Sequence, residues 1–96
     1  MPTSPAPIQF PEWFDELAAL EAEHKGCLLN FPLSAPGRAV RRFNFYDPVR
    51  LQQDCQQGFA QEGFWHERRV VVLPAVTRAH IIRFACALWR LDIAAG

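Results

Sequence analysis

Lysine is almost missing from this 96-residue chain: Lys25 is the only one, and nine of the ten basic residues are arginine. No apolar run approaches the ~20 residues that cross a bilayer, so no membrane span is expected. Cysteine is scarce and odd in number. Cys27, Cys55 and Cys86 are scattered, with neither the spacing of a disulfide framework nor that of a zinc site. The N-terminal MPTSPAPIQF lacks the basic start and apolar core of a signal peptide. These absences together predict a cytoplasmic chain with reduced thiols and no metal.

The motifs of common catalysis are absent as well. There is no G-x-S-x-G, no glycine-rich phosphate loop, no H-E-x-x-H and no C-x-x-C. His24, His66 and His80 lie far apart in the sequence. A thiol–imidazole pair, Cys55 with His66 or His80, is the catalytic alternative left open, because such partners meet only in the fold. Cys55 itself falls on an apolar helical stripe, which suits a small core residue better than a nucleophile. The expectation is a chain without catalysis of its own and without a cofactor.

What is present is apolar and aromatic. Half the residues are hydrophobic and three are tryptophan, enough for one domain with a modest core. Net charge is zero but divided. Residues 1–24 carry Glu12, Asp15, Glu16, Glu21 and Glu23 and no Lys or Arg; residues 25–96 carry all ten cations against five acids, so the two parts stand at −5 and +5. The division predicts an acidic first helix covering basic neighbours, or else a basic surface for nucleic acid.

The elements follow from local chemistry. Residues 1–10, with Pro2, Pro5 and Pro7, read as an extended arm that Phe10 staples to a domain over 11–96. Pro11 suits a helix start, and Pro11–His24 reads as helix one with Trp13, Phe14, Leu17, Ala18 and Leu20 inward and Gly26 as its stop. Cys27–Leu33 reads as a strand, the Ser34–Gly37 stretch as a turn with Pro36-Gly37 at its middle, and Ala39–Tyr46 as the second arm of a hairpin. Asp47-Pro48 is a capped helix start, so helix two runs from Pro48 to about Gln61, with Leu51, Cys55 and Phe59 inward. Phe64–Leu73 reads as a strand that alternates in its first half and is apolar in its second, ended by Pro74. Thr77 caps a final helix in which Ile81, Ile82, Phe84, Ala85, Leu88 and Trp89 recur at helical spacing and Arg83 and Arg90 face solvent. The expected fold is one small α/β domain in the order αββαβα. Its three-stranded mixed sheet, a hairpin plus one parallel crossover, is packed by helices.

Gly63-Phe64-Trp65, Arg69 to Pro74, Thr77 and Ile81 to Leu91 follow one another in a grammar that resembles the end of the small C-terminal domain of PLP-dependent decarboxylases and aminotransferases. The resemblance covers about a third of the chain and implies a β-turn-α architecture. It implies neither PLP nor decarboxylation, because the only lysine, Lys25, lies outside the matching stretch.

Three surfaces are candidates for function. Trp65-His66-Glu67-Arg68-Arg69 is the densest polar and aromatic cluster, and exposed Trp beside Arg is typical of binding hot spots. Trp65, His66, Arg68 and Arg69, with Trp13 of the first helix, are therefore the expected contacts for a protein partner or a second copy of the chain. Thr77, Arg78 and His80 crowd cations at the positive end of a helix, which would favour an anion there. Arg38, Arg41 and Arg42, joined by Arg68, Arg69 and Arg78, are the alternative, a face for nucleic acid or phosphate. The leading expectation is an interaction module or accessory subunit, with a small Cys/His-dependent enzyme as the third reading.

Overall fold

The computed structural model describes the backbone of residues 8–95 and the side chains of residues 8–89. Its elements are α1 (Glu16–Lys25), β1 (Cys27–Leu33), β2 (Arg41–Tyr46), α2 (Pro48–Glu62), β3 (Val70–Val72) and α3 (Arg78–Ala95). The order is αββαβα, as the sequence predicts. The strands form one sheet in the order β1-β2-β3, with β1 antiparallel and β3 parallel to the central β2.

Alternation along β2 sends its side chains to two different surroundings. Phe43 and Phe45 point into the core, where Phe84 of α3 meets both rings nearly edge-on, at 5.2 and 5.8 Å. Phe31 and Leu33 of β1 join them, fully buried, with Val76 and Ile81 beyond. Each such side chain stabilises the fold by ~1.5–3 kcal/mol through burial alone. Phe14 packs edge-to-face on Phe31 at 4.9 Å, and Phe10 lies 5.5 Å from Phe14. Phe10 thus does staple the incoming chain, and Gln9 donates its N–H to the Ser34 carbonyl at 3.0 Å. The rest of the expected arm, residues 1–7, lies outside the described residues, as does the Arg90 side chain.

Helix α1 starts five residues later than Pro11. Asp15 is its cap, accepting from Ala18 N–H at 2.9 Å, while Pro11 instead closes a turn by accepting from Phe14 N–H. That turn rotates Phe14 inward. The inward face of α1 is then made of alanines: Ala22 is buried, Ala18 and Ala19 half-buried. Trp13, Leu17 and Leu20, expected inside, are exposed. Small side chains let the helix sit close to the core, and the leucines are left on its outer side.

Three further features differ from expectation. The hairpin turn is as read, with Gly37 left-handed and Arg38 N–H bonded to the Ala35 carbonyl at 3.1 Å, but β2 begins at Arg41 rather than Ala39. Helix α2 keeps its Asp47 cap and Pro48 start, yet it buries no residue fully, and Phe59 of the supposed inner stripe is 57% exposed. The strand over Phe64–Leu73 shrinks to Val70–Val72. Arg69 has a left-handed backbone, φ 51°, which no extended ladder accepts. Upstream of it, Trp65 packs edge-on to Tyr46 at 5.9 Å instead of pairing with a neighbouring strand.

Two glycines make close approaches. Gly26, φ 76°, ends α1, and a Cβ there would meet the Asp47 carboxylate 2.6 Å away. The C-terminus of α1 therefore abuts the N-cap of α2, and Asp47 N–H bonds the Gly26 carbonyl at 2.8 Å. Arg50 ties the junction by donating to the Lys25 carbonyl at 3.3 Å, and it is braced within α2 by Asp54 at 3.0 Å. The Asp54 bond raises the Arg50 pKa above its ordinary value. Gly58 plays the matching part under Trp65, as described below.

Candidate functional site

Asn44 is the centre of the most structured polar surface. It lies on β2 between Phe43 and Phe45, so its side chain points away from the core. Its Oδ1 accepts the N–H of Asn30 on β1 at 2.6 Å, and its Nδ2 donates to the Arg68 carbonyl at 2.9 Å. Its own backbone N–H bonds the Arg69 carbonyl at 3.0 Å. One side chain thus ties the central strand to irregular backbone on both sides.

Both flanks are left-handed. Asn30 has φ 53° and Arg69 φ 51°, the two positive-φ residues other than glycine among the described residues. Asn30 sits where the β1–β2 register shifts between Leu28 and Phe31, so that three steps on β1 match two on β2. The bulge leaves its N–H free to turn to Asn44. Left-handed non-glycine backbone costs on the order of 1–2 kcal/mol and persists only where its surroundings hold it. Here the Asn44 amide supplies that hold.

The same residues line an open cavity of about 460 Å³, floored by Asn30, Phe43 and Asn44. Its rim carries Arg42, Arg68 and Arg69 against one acid, Glu67. Arg42 donates to the Asn30 carbonyl at 3.3 Å. Glu67 is already engaged, accepting the Tyr46 hydroxyl at 2.6 Å. Burial pushes the Tyr46 phenol well above its ordinary pKa, and the bond to Glu67 pushes it further. With Glu67 turned to Tyr46, the three guanidinium groups dominate the field of the groove.

Of the residues expected to meet a partner, Arg68 and Arg69 are in this groove. Trp65 is not: it is half-buried against Tyr46 and Gly58 and lines a different depression, beside Arg50 and Asp54 of α2. His66 is exposed and stacked on Phe64, with ring centroids 5.8 Å apart and planes 17° apart. Trp13 packs edge-on against Phe31, on the core side of the sheet. Arg42 of the supposed nucleic-acid face joins the groove, whereas Arg38 stands in the hairpin turn and Arg41 at the start of β2. The residues that sequence reasoning missed are Asn30 and Asn44, while Glu67 was named only as a member of the Trp65–Arg69 cluster. An asparagine inside an otherwise apolar strand run was the available signal, since Asn tolerates the left-handed region better than most residues.

The start of α3 is internally satisfied. Thr77 Oγ1 and His80 Nδ1 are 2.8 Å apart, and His80 N–H reaches the same hydroxyl at 3.3 Å. Arg78 donates to the Phe14 carbonyl at 2.7 Å and lies over the Phe14 ring, 5.2 Å from its centroid. Its cation therefore fastens α3 to the segment before α1. The three cysteines are free and half-buried, and no hydrogen bond joins Cys55 to a histidine among the described residues. No group of three His, Cys, Asp or Glu side chains placed to hold a metal occurs among the described residues. Nor is any helix among them long and apolar enough to cross a membrane.

Comparison with family models, curated proteins and solved structures gave no match in any of the three.

Proposed function

We propose that this chain is a non-catalytic binding module that takes an acidic segment of a protein partner into the Asn44 groove. The observation that carries the reading is the convergence of two left-handed residues, Asn30 and Arg69, on one clamp, with both lining a cavity rimmed by three arginines. Backbone strain of this kind clusters at ligand sites, where it fixes side chains in advance of binding. Arg42, tethered to the Asn30 carbonyl, loses less freedom on meeting a carboxylate, and the planar fork of a guanidinium matches a carboxylate with two hydrogen bonds.

Nucleic acid is the second reading, favoured by the exposed Phe64–His66 stack near Arg68 and Arg69. Aromatic faces beside arginines suit single-stranded bases.

Fluorescence anisotropy with a Glu/Asp-rich peptide and with a single-stranded oligonucleotide separates the two. On the first reading the peptide binds, Arg42→Glu and Arg68→Glu each weaken it about three- to tenfold, and the oligonucleotide competes poorly. Binding of the oligonucleotide alone, with affinity falling steeply in salt, establishes the second. Binding of neither removes both.

A further inference from the structure

The other side of the molecule carries an unpartnered surface of a different chemistry. On α1 the residues facing away from Ala18 and Ala22 are Leu17 and Leu20, each 63% exposed. They form one ridge, three residues apart. Acids border it on both sides: Glu16 and Glu23 along one, Glu21 along the other. None of these carboxylates makes an ion pair among the described residues. Leucines in that position are opposed by the cost of leaving apolar surface in water, which a packing partner would remove.

Beside it, α3 offers the complement. Ala79, Arg83 and Ala87 are exposed and four residues apart, so they make one smooth strip with a single cation at its middle. Arg83 also lacks a carboxylate partner among the described residues. The two helices are neighbours: Glu16, Leu20 and Glu23 line one groove with Thr77, Arg78 and Ala79, about 350 Å³ in volume. A ridge of large apolar residues edged by acids thus lies next to a strip of small residues bearing a base.

We infer that the occupant of this face is a second copy of the chain, related by a two-fold axis that lays the α1 ridge of each protomer on the α3 strip of the other. The contact is isologous, so each fit is made twice. Leucine ridges settle between alanines where small side chains let helices approach closely. Glu16 or Glu23 of one protomer then meets Arg83 of its partner. The same face supplies both halves of the match in shape and in charge, which a partner of other chemistry would have to supply separately. The Asn44 groove opens on the opposite side of the sheet, so dimerisation leaves it free and neither reading depends on the other.

Sedimentation velocity under reducing conditions tests this, over a range of protein concentration, with circular dichroism to confirm folding. The expected wild-type species is a dimer of the 11.0 kDa chain. Leu17→Glu with Leu20→Glu gives a folded monomer. Two reversed variants make the assignment specific: Glu16→Arg with Glu23→Arg, and Arg83→Glu. Each alone weakens self-association about tenfold or more, because like charges then face each other. Mixed together they restore it, because every reversed acid meets a reversed base. A wild-type monomer at every concentration overturns the inference, and so does a dimer indifferent to all three variants or a mixture that stays monomeric.

Discussion

Trp65 rests directly on Gly58. A Cβ on Gly58 would come within 3.0 Å of the Trp65 Cβ and 2.8 Å of the Phe64 carbonyl oxygen. A glycine inside a helix costs ~1 kcal/mol relative to alanine, and this one is retained where the following loop folds back over the helix. The loop from Phe64 to Arg69, which carries most of the groove's rim, is seated by that contact.

Gly58→Ala is therefore expected to destabilise the protein by about 1–3 kcal/mol, although alanine is the better helix former. Urea denaturation measures the sign. A stabilised variant would mean that the loop does not bear on the helix.

The clamp makes a paired prediction. Asn44→Ala removes both side-chain bonds and leaves the Asn30 N–H and the Arg68 carbonyl without them, at a cost of about 1–3 kcal/mol. Arg69→Gly should be close to neutral by the same measure, since relief of a left-handed backbone offsets the flexibility of glycine. Arg69→Val should cost more than ~1 kcal/mol, because a β-branched residue at φ 51° is strongly disfavoured.

Where α1 meets α2, substitutions should not add. Gly26→Ala forces a left-handed alanine and a clash with the Asp47 carboxylate 2.6 Å away. Asp47→Ala removes the cap that accepts from Arg50 N–H, worth ~1 kcal/mol. In the double variant the clash is gone, so the combined loss is smaller than the sum by at least ~0.5 kcal/mol. Additive losses in a double-mutant cycle of denaturation midpoints would show that the carboxylate gives way freely.

Tyr46 sets the alkaline limit. Its folded pKa lies above the ordinary value near 10 through burial first and Glu67 second, so the folded state holds the proton more tightly than the unfolded chain. The stabilisation is complete below pH ~10 and is lost as pH rises through the folded pKa. Stability measured between about pH 9 and 12 should hold up to pH ~10 and fall above it for the native chain along this limb. In Tyr46→Phe the limb should be shallower; an unchanged slope would place the alkaline titration elsewhere.

The order of elements was legible because each one announces itself locally. Asp47-Pro48 opens α2 where the sequence puts it, the run Cys27–Leu33 is a strand to the residue, and Pro36-Gly37 makes the turn. The errors fall where tertiary packing outweighs local pattern. Phe64 to Arg69 alternate like a strand, but Trp65 finds Tyr46 and Gly58, and Glu67 finds the Tyr46 hydroxyl. The alternation reports a loop pinned by its side chains rather than a ladder. Leu17 and Leu20 read as core because they are apolar, yet Ala18, Ala19 and Ala22 hold that place. The three arginines of the candidate groove were visible, Arg68 and Arg69 on one expected surface and Arg42 on another. Asn44 was not, because its role exists only when Asn30 and Arg68, distant in sequence, are brought to either side of it.

The bulge in β1 has an arithmetical consequence. Leu28 and Phe31 both belong to the core although three steps separate them, and an unbroken pleat of the same length would turn Phe31 and Leu33 toward water. A chain shorter by one residue at Asn30 would restore simple alternation, at the loss of the bonds Asn30 makes to Asn44 and Arg42. Asn30 is thus surplus to the architecture: the hairpin could be woven more simply without it. What the extra stitch provides is an N–H for Asn44 and a carbonyl for Arg42, both at the groove.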